Sequence, residues 1–177
     1  MLLDNEVDHG PVLAQIKCPI GSEDRYSDLA RKLSDLGSEL LTKVLPLYIT
    51  KDIKPIEQNH ENASFTHKIG SEDGRINEDN PLTHSWNQFR ALGEEPGCFI
   101  MPNNFYQDRY KIIECKPSKL IQSDLKGQIF SHEDNLYFGL LDGSLQIDII
   151  QKAGGVILKA REFLNGNKTK VPPYRTP

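Results

Sequence analysis

The stretch that decides the fold of this chain is Leu136-Tyr137-Phe138-Gly139-Leu140-Leu141-Asp142-Gly143-Ser144-Leu145-Gln146-Ile147-Asp148-Ile149-Ile150. Asp142-Gly143-Ser144 has the composition of a tight turn and separates two apolar runs. Within the second run, Leu145–Ile150, the residues from Leu145 to Ile149 alternate strictly between apolar and polar, as they do in a strand that buries one face. The stretch therefore predicts two strands joined by a turn.

Three more strand-like stretches precede this pair at short spacing. They are Cys98–Met101, Tyr110–Cys115 and Gln128–Ser131, and turn-forming residues separate them. Five short strands at this spacing predict a small β-barrel.

Two helices are expected to flank the strands. The first begins with Asn80 as its N-cap and Pro81 at its first helical position, and it carries Trp86 and Phe89 on one apolar face. At this helical spacing the two aromatic side chains are expected to be core residues and not a stacking platform. Val156–Leu164 predicts a closing helix.

The first fifty residues have a different pattern. Pro11–Ile16 predicts a short buried strand, and Ser22 is a plausible N-cap for a helix with leucines every three or four residues. Gly37 is expected to split that helix into a helical hairpin. These elements cannot form a closed core by themselves, so their apolar faces need partners. The polar run that follows, 51–72, predicts a surface linker.

Composition bounds the class of protein. Of the 177 residues, 37% are hydrophobic and 26% are charged, as in an ordinary globular protein. No apolar stretch approaches the ~18 residues of a membrane span, and no secretory leader pattern opens the chain, so a cytoplasmic location without membrane contact is expected. Cys18, Cys98 and Cys115 are far apart and predict reduced thiols, with neither a disulfide framework nor a metal site.

Charge is unevenly spread along the chain. Residues 1–80 carry nine Lys and Arg against fifteen Asp and Glu, whereas residues 81–177 carry twelve against ten, within a net charge of −4. From residue 152 onward a single acid, Glu162, faces the basic residues Lys152, Lys159, Arg161, Lys168, Lys170 and Arg175. Such a basic stripe suits contact with a polyanion, although a solvated helix face and tail give the same composition.

Asp8 lies in a segment whose composition predicts a rigid turn. Gly10 permits positive φ and Pro11 fixes the backbone that follows. A carboxylate on such a turn can serve as a catalytic acid or as a hydrogen-bond acceptor. Most aspartates in this setting only form the turn.

Five segments, taken together and in order, resemble the methionyl-tRNA formyltransferases. They cover nearly all of the chain and are Asp8-His9-Gly10-Pro11-Val12-Leu13-Ala14-Gln15; Asn62–Ile69 with Ser71–Ile76; Phe89-Arg90-Ala91-Leu92 with Pro96-Gly97; Gln151-Lys152-Ala153-Gly154; and Glu162-Phe163-Leu164-Asn165-Gly166. The resemblance is to the second half of such an enzyme.

The resemblance implies a fold and a domain organisation. Residues 1–50 would be an α/β remnant of the Rossmann-like formyltransferase catalytic domain, and 51–72 a linker. Residues 73–177 would be the C-terminal domain with its helices, a small β-barrel of the oligonucleotide-binding type. Barrels of this type bind nucleic acid through strand faces and loops.

The resemblance also implies chemistry. The family transfers a formyl group from 10-formyltetrahydrofolate to the amino group of methionyl-initiator-tRNA in translation initiation. It uses an Asn, a His and an Asp, of which only the Asp is matched here, by Asp8; the other two and most of the folate site lie in the half that is not represented. The chain alone is therefore expected to be inactive, and a separate chain carrying that half is a possible partner. The basic residues that would contact tRNA are Lys152, Lys159, Arg161, Lys168 and Lys170.

Two departures and two alternatives accompany this interpretation. His9 stands where the family often has Thr, and Gly154-Gly155-Val156 stands where many relatives carry two lysines. One alternative function is a stand-alone tRNA-binding or interaction module. The other is part of a formyltransferase that acts on a nucleotide-sugar amine.

Overall fold

The computed structural model describes residues 1–175 as three α-helices and six β-strands. In chain order these are α1 (Tyr26–Ile49), α2 (Leu82–Leu92), β1 (Cys98–Ile100), β2 (Tyr110–Ser118), β3 (Ile129–His132), β4 (Asn135–Gly139), β5 (Ser144–Lys152), β6 (Ile157–Lys159) and α3 (Ala160–Gly166). The chain divides into two compact units, Met1–Lys68 and the part from Ile69 onward. The division falls inside 51–72, and the assignment of these segments to parts of a longer enzyme stays a prediction.

The strands form one antiparallel sheet in the order β1-β2-β5-β4-β3. All five predicted strands are confirmed, with ends shifted by at most three residues. β2 pairs along the whole of β5, so β4 and β6 share the opposite edge of β5, at Ser144–Ile147 and Ile149–Gln151 respectively. The sixth strand corrects the prediction of a helix over Val156–Leu164, because the helix begins only at Ala160.

A pair of irregularities in the β2–β5 ladder changes which residues of β5 face the core. The register shifts between Ile112 and Cys115. Leu145 and Ile147 are buried as the alternation predicts, but Ile149 is only half-buried and Ile150 is buried in its place. An extra residue in a strand reverses the side-chain alternation beyond it.

The core of the second unit lies between the sheet and the helices α2 and α3. Phe89 is buried and Trp86 packs against the same cluster, which confirms both as core residues. The predicted start of α2 is wrong by one residue, because Pro81 is the N-cap and Leu82 the first helical residue. The carboxylate of Asp142 accepts the Leu82 N–H at 2.6 Å, so the helix is capped from the β4–β5 turn.

Asn104 joins the end of β1 to β3 through its side chain. Its Nδ2 donates to the Ile129 carbonyl at 2.7 Å, and its Oδ1 accepts the Ile129 N–H at 3.0 Å. The same Nδ2 also donates to the Lys170 carbonyl at 2.9 Å. Through the first two bonds the loop after β1 pairs with β3 as a neighbouring strand would. The third bond holds the segment after α3.

The first unit contains one long helix, and three of its predicted features are wrong. α1 runs unbroken through Gly37, so the helical hairpin does not form; one glycine costs a helix only about 1 kcal/mol. The N-cap is Arg25 instead of Ser22. Pro11–Ile16 forms no strand and makes only an isolated bridge between Val12 and Ile56, since the described unit has no sheet to receive it.

α1 buries none of its 24 residues within the described chain. Its apolar positions are half-buried or exposed, as expected for elements whose partners are elsewhere. Among residues 1–175, no helix combines the length and apolar character that crossing a bilayer requires.

Candidate functional site

The Asp8 turn is held by its neighbours in the first unit. Asp8 has a φ of 54°, in the left-handed region, and its side chain is exposed. Gln58 Nε2 donates to the carbonyl oxygens of Asp8 at 2.9 Å and Gly10 at 2.7 Å. Gly10 is buried, and a β-carbon there would overlap the carbonyl oxygen of Leu2. The sequence thus predicts the turn correctly, and the structure adds Gln58 as its clamp.

Asp8 has no catalytic partner within residues 1–175: its carboxylate makes no hydrogen bond or ion pair there. The neighbouring His9 instead places its Nδ1 2.7 Å from Asp4 Oδ2, and this hydrogen bond raises the pKa of His9. The His9 ring also stacks on His60 at 3.8 Å.

These residues do not make up an acyl-transfer or folate site by themselves. Formyl transfer needs donors for the developing oxyanion and a base for the amine proton, and Asp8 offers neither a donor nor an oriented histidine. No cluster of three or more His, Cys, Asp or Glu side chains suited to a metal ion occurs in the described part of the chain.

All five predicted tRNA-contacting residues are exposed in the second unit. Lys152, at the end of β5, pairs with Asp108 at 2.6 Å, and this hydrogen bond raises the pKa of Lys152. The other four form no ion pair within the described residues; they are Lys159, Arg161, Lys168 and Lys170. Exposed charges without a nearby partner remain available to an external anion.

The structure brings some of these cations together and separates others. Lys152 and Lys170 line one cavity of about 200 Å³. Lys168 lines a second cavity of about 280 Å³, together with Asp134. Lys159 and Arg161 lie at the start of α3, where the Glu162 carboxylate accepts the Lys159 backbone N–H at 2.8 Å.

Seven residues of the first cavity were not predicted as site residues, and three of them come from one loop. Phe105, Tyr106 and Asp108 follow β1 in a loop, and they lie beside Lys152 and Lys170. The Lys170 ammonium is 5.9 Å from the Phe105 ring centre and 5.8 Å from that of Tyr106. The only signal in the sequence is a pair of adjacent aromatic residues directly after a predicted turn.

Solved structures show which class of protein has this fold. HypX from Aquifex aeolicus, in complex with tetrahydrofolic acid, matches 97% of the chain with a TM-score of 0.70 at 17% identity, over 30% of HypX. The N-formyltransferase from Helicobacter canadensis matches 85% of the chain with a TM-score of 0.61 at 22% identity, over 53% of that enzyme. The fold is therefore one found in formyltransferases.

Sequence comparison gives the family. The model for the formyl transferase C-terminal domain matches residues 68–168, more than half of the chain, and the chain belongs to this family. Methionyl-tRNA formyltransferases from Streptococcus equi subsp. equi (strain 4047) and Caldicellulosiruptor saccharolyticus are 29% and 31% identical over 94% and 96% of the chain. The chain spans about half the length of these relatives, 52% and 54%. The match fits a C-terminal part of that enzyme, as the sequence motifs predict.

Proposed function

We propose that this chain is part of a cytoplasmic methionyl-tRNA formyltransferase, which transfers a formyl group from 10-formyltetrahydrofolate to methionyl-initiator-tRNA. Its own contribution would be to hold the tRNA. The observation that carries this proposal is the set of exposed cations Lys159, Arg161, Lys168 and Lys170, none of which forms an ion pair within residues 1–175. Phosphate neutralisation supplies most of the affinity of such surfaces for nucleic acid.

The architecture of the second unit supports the same role. We infer that its antiparallel sheet closes into a barrel of the oligonucleotide-binding type, since the Asn104 side chain connects the end of β1 to β3. Five-stranded barrels of this type present a strand face and loops to nucleic acid. Lys152 and Lys170 lie at one end of this sheet.

Salt-dependent binding tests the tRNA contact. Binding of an initiator tRNA transcript should weaken with added salt, and Lys168→Glu or Lys170→Glu should lower the slope of log K against log[salt] by about one each. Lys119→Glu is a matched control, since Lys119 is also exposed but follows the far end of β2, about 25 Å along the strand from the residue that pairs with Lys152. Equal effects of all three substitutions would show that only net charge matters.

The catalytic contribution proposed for Asp8 is to orient a histidine from the remainder of a full-length enzyme. An amine that attacks the formyl carbon must lose a proton, and a carboxylate that fixes the imidazole supports that transfer. Asp8 is exposed and its carboxylate is unpaired within residues 1–175, so it is free to accept such a partner.

Complementation tests this part of the proposal. The 177-residue chain alone should not formylate methionyl-tRNA, and addition of the N-terminal half of a relative should restore turnover. In that complex Asp8→Asn should reduce kcat by about 10²-fold, whereas His9→Ala should have little effect. Turnover by the chain alone would overturn the assignment. Salt-dependent tRNA binding without any restored turnover would favour the alternative of a non-catalytic tRNA-binding module.

A further inference from the structure

The loop after β1 carries an aromatic side chain that the fold does not use. Tyr106 is 87% exposed, while Phe105 beside it is only 2% exposed and belongs to the core. The backbone of Tyr106 is left-handed, with a φ of 55°, and that of Gln107 follows at 58°. The two neighbouring rings therefore have opposite environments, and Tyr106 lies on the wall of the cavity of about 200 Å³.

Lys170 is positioned against this ring by the backbone around it. The Asn104 Nδ2 donates to its carbonyl at 2.9 Å, and its own N–H donates to the Asn167 carbonyl at 2.9 Å. The ammonium lies within the range of cation–π attraction of both Phe105 and Tyr106. Lys170 forms no ion pair with an acidic residue within residues 1–175. Tyr106 thus presents a largely exposed ring with an available cation over it, 5.8 Å from its centre.

The size and lining of the cavity restrict what it can hold. A volume of about 200 Å³ is below the 300–1,000 Å³ range of sites for drug-sized ligands, so it accepts one small group and not a whole cofactor. The Lys152–Asp108 pair on its wall supplies a donor and an acceptor in one place. One flat ring with polar edges and an attached anion satisfies all of these features.

We propose that this cavity binds a single unpaired nucleobase, stacked on Tyr106, with the adjoining phosphate at Lys170. The proposal rests on the proposed tRNA contact and deepens it, because it distinguishes an unpaired nucleotide from a continuous duplex. In a duplex a base is stacked on its neighbours and exposes only its edge, so its face is not available to Tyr106. Aromatic side chains that stack single bases are the common device of proteins that bind unpaired strands.

Two decamers with the same phosphates test the stacking. One is an adenylate ribo-decamer, and the other is an abasic ribose-phosphate decamer of equal length. The full chain should bind the adenylate decamer about tenfold more tightly than the abasic one. Tyr106→Ala should remove this preference, whereas Tyr106→Phe, which keeps the ring, should retain it within about twofold.

Matched variants separate stacking from charge and from folding. Lys170→Gln should weaken binding of both decamers and lower the salt slope by about one, but leave the base preference intact. Tyr26→Ala removes another exposed tyrosine, at the start of α1, and should change neither quantity. Because Tyr106 is so exposed, thermal unfolding of Tyr106→Ala should coincide with that of the unaltered chain.

The outcomes distinguish this proposal from the one on which it rests. If both decamers bind equally well, Tyr106→Ala has no effect and salt dependence persists, the basic surface stands and the stacking proposal is wrong. If neither decamer nor tRNA shows salt-dependent binding, the proposed function itself is wrong. A selective loss with Tyr106→Ala supports both.

Discussion

Replacement of Asn104 by alanine should destabilise the second unit by about 2–4 kcal/mol, because three hydrogen bonds of about 1 kcal/mol each depend on its amide. The amide bonds both the N–H and the carbonyl of Ile129, at 3.0 and 2.7 Å, and the carbonyl of Lys170 at 2.9 Å. Alanine leaves all three backbone groups without these partners. Ile129 is fully buried, so water cannot easily replace the lost bonds.

Urea unfolding followed by tryptophan fluorescence measures this loss. The chain has one tryptophan, Trp86, and it packs against the core of the second unit, so the signal reports on that unit. The urea midpoint should fall for Asn104→Ala while the m-value stays the same. Asn103→Ala is the matched control, since Asn103 is exposed and bonds Gly127 only through its backbone N–H.

A second substitution at position 104 tests whether the donor of the amide is required. Asn104→Asp keeps the size and one acceptor but replaces the donor with a carboxylate that faces two carbonyl oxygens, so it should destabilise at least as much as alanine near pH 7. A loss below about 0.5 kcal/mol for Asn104→Ala, or equal losses for Asn104→Ala and Asn103→Ala, would show that the amide does not connect the end of β1 to β3.

Limited proteolysis should cut within 51–68, where most side chains are exposed, and leave a resistant fragment that starts near Ile69; equal resistance of both units would contradict the division. Phe138→Ala should lower the free energy of unfolding of the second unit by about 3–5 kcal/mol in the same urea experiment, since Phe138 has no exposed surface. The hydrogen bond between His9 and Asp4 raises the pKa of His9 above its usual 6.5 and lowers that of Asp4 below 3.8. Its stabilisation should therefore be fully present between pH 3.8 and 6.5, and should be lost as pH rises through the raised pKa of His9 or falls through the lowered pKa of Asp4. An NMR titration should show the His9 pKa returning toward 6.5 in Asp4→Asn; an unchanged value would sink the pairing.

Local sequence signals predict the strands of the second unit well because their apolar residues are buried. β1 and β4 bury nearly every residue and correspond to short apolar runs, whereas β2 and β5 alternate over part of their length. Leu145 and Ile147 are fully buried, as the alternation requires. β6 escapes prediction because its three residues Ile157–Lys159 carry no burial pattern, and they pair only where β4 leaves the edge of β5 free. Whether that edge is free depends on how far β4 extends along β5, and the three residues of β6 do not reveal it.

The errors in the first unit have a different origin. The predicted break at Gly37 weighs a single residue, whereas a helix of 24 residues depends on the sum of all its hydrogen bonds. The predicted strand at Pro11–Ile16 has the right composition, but a strand exists only when another strand receives it. In the described chain Val12 finds only Ile56. Apolar pattern predicts which faces need burial, and not what buries them.

The residues of the candidate site are likewise brought together by contacts between segments that are distant in the sequence. Charge composition alone identifies Lys170 as part of a basic end, but nothing near it in the sequence indicates an aromatic neighbour. Asn104, 66 residues earlier, holds the Lys170 carbonyl and is separated from Tyr106 by a single residue. Sequence proximity therefore links Tyr106 to Asn104, and a hydrogen bond links Asn104 to Lys170. Loss of that amide should therefore lower stability and, because it releases the Lys170 backbone, weaken binding of both decamers alike.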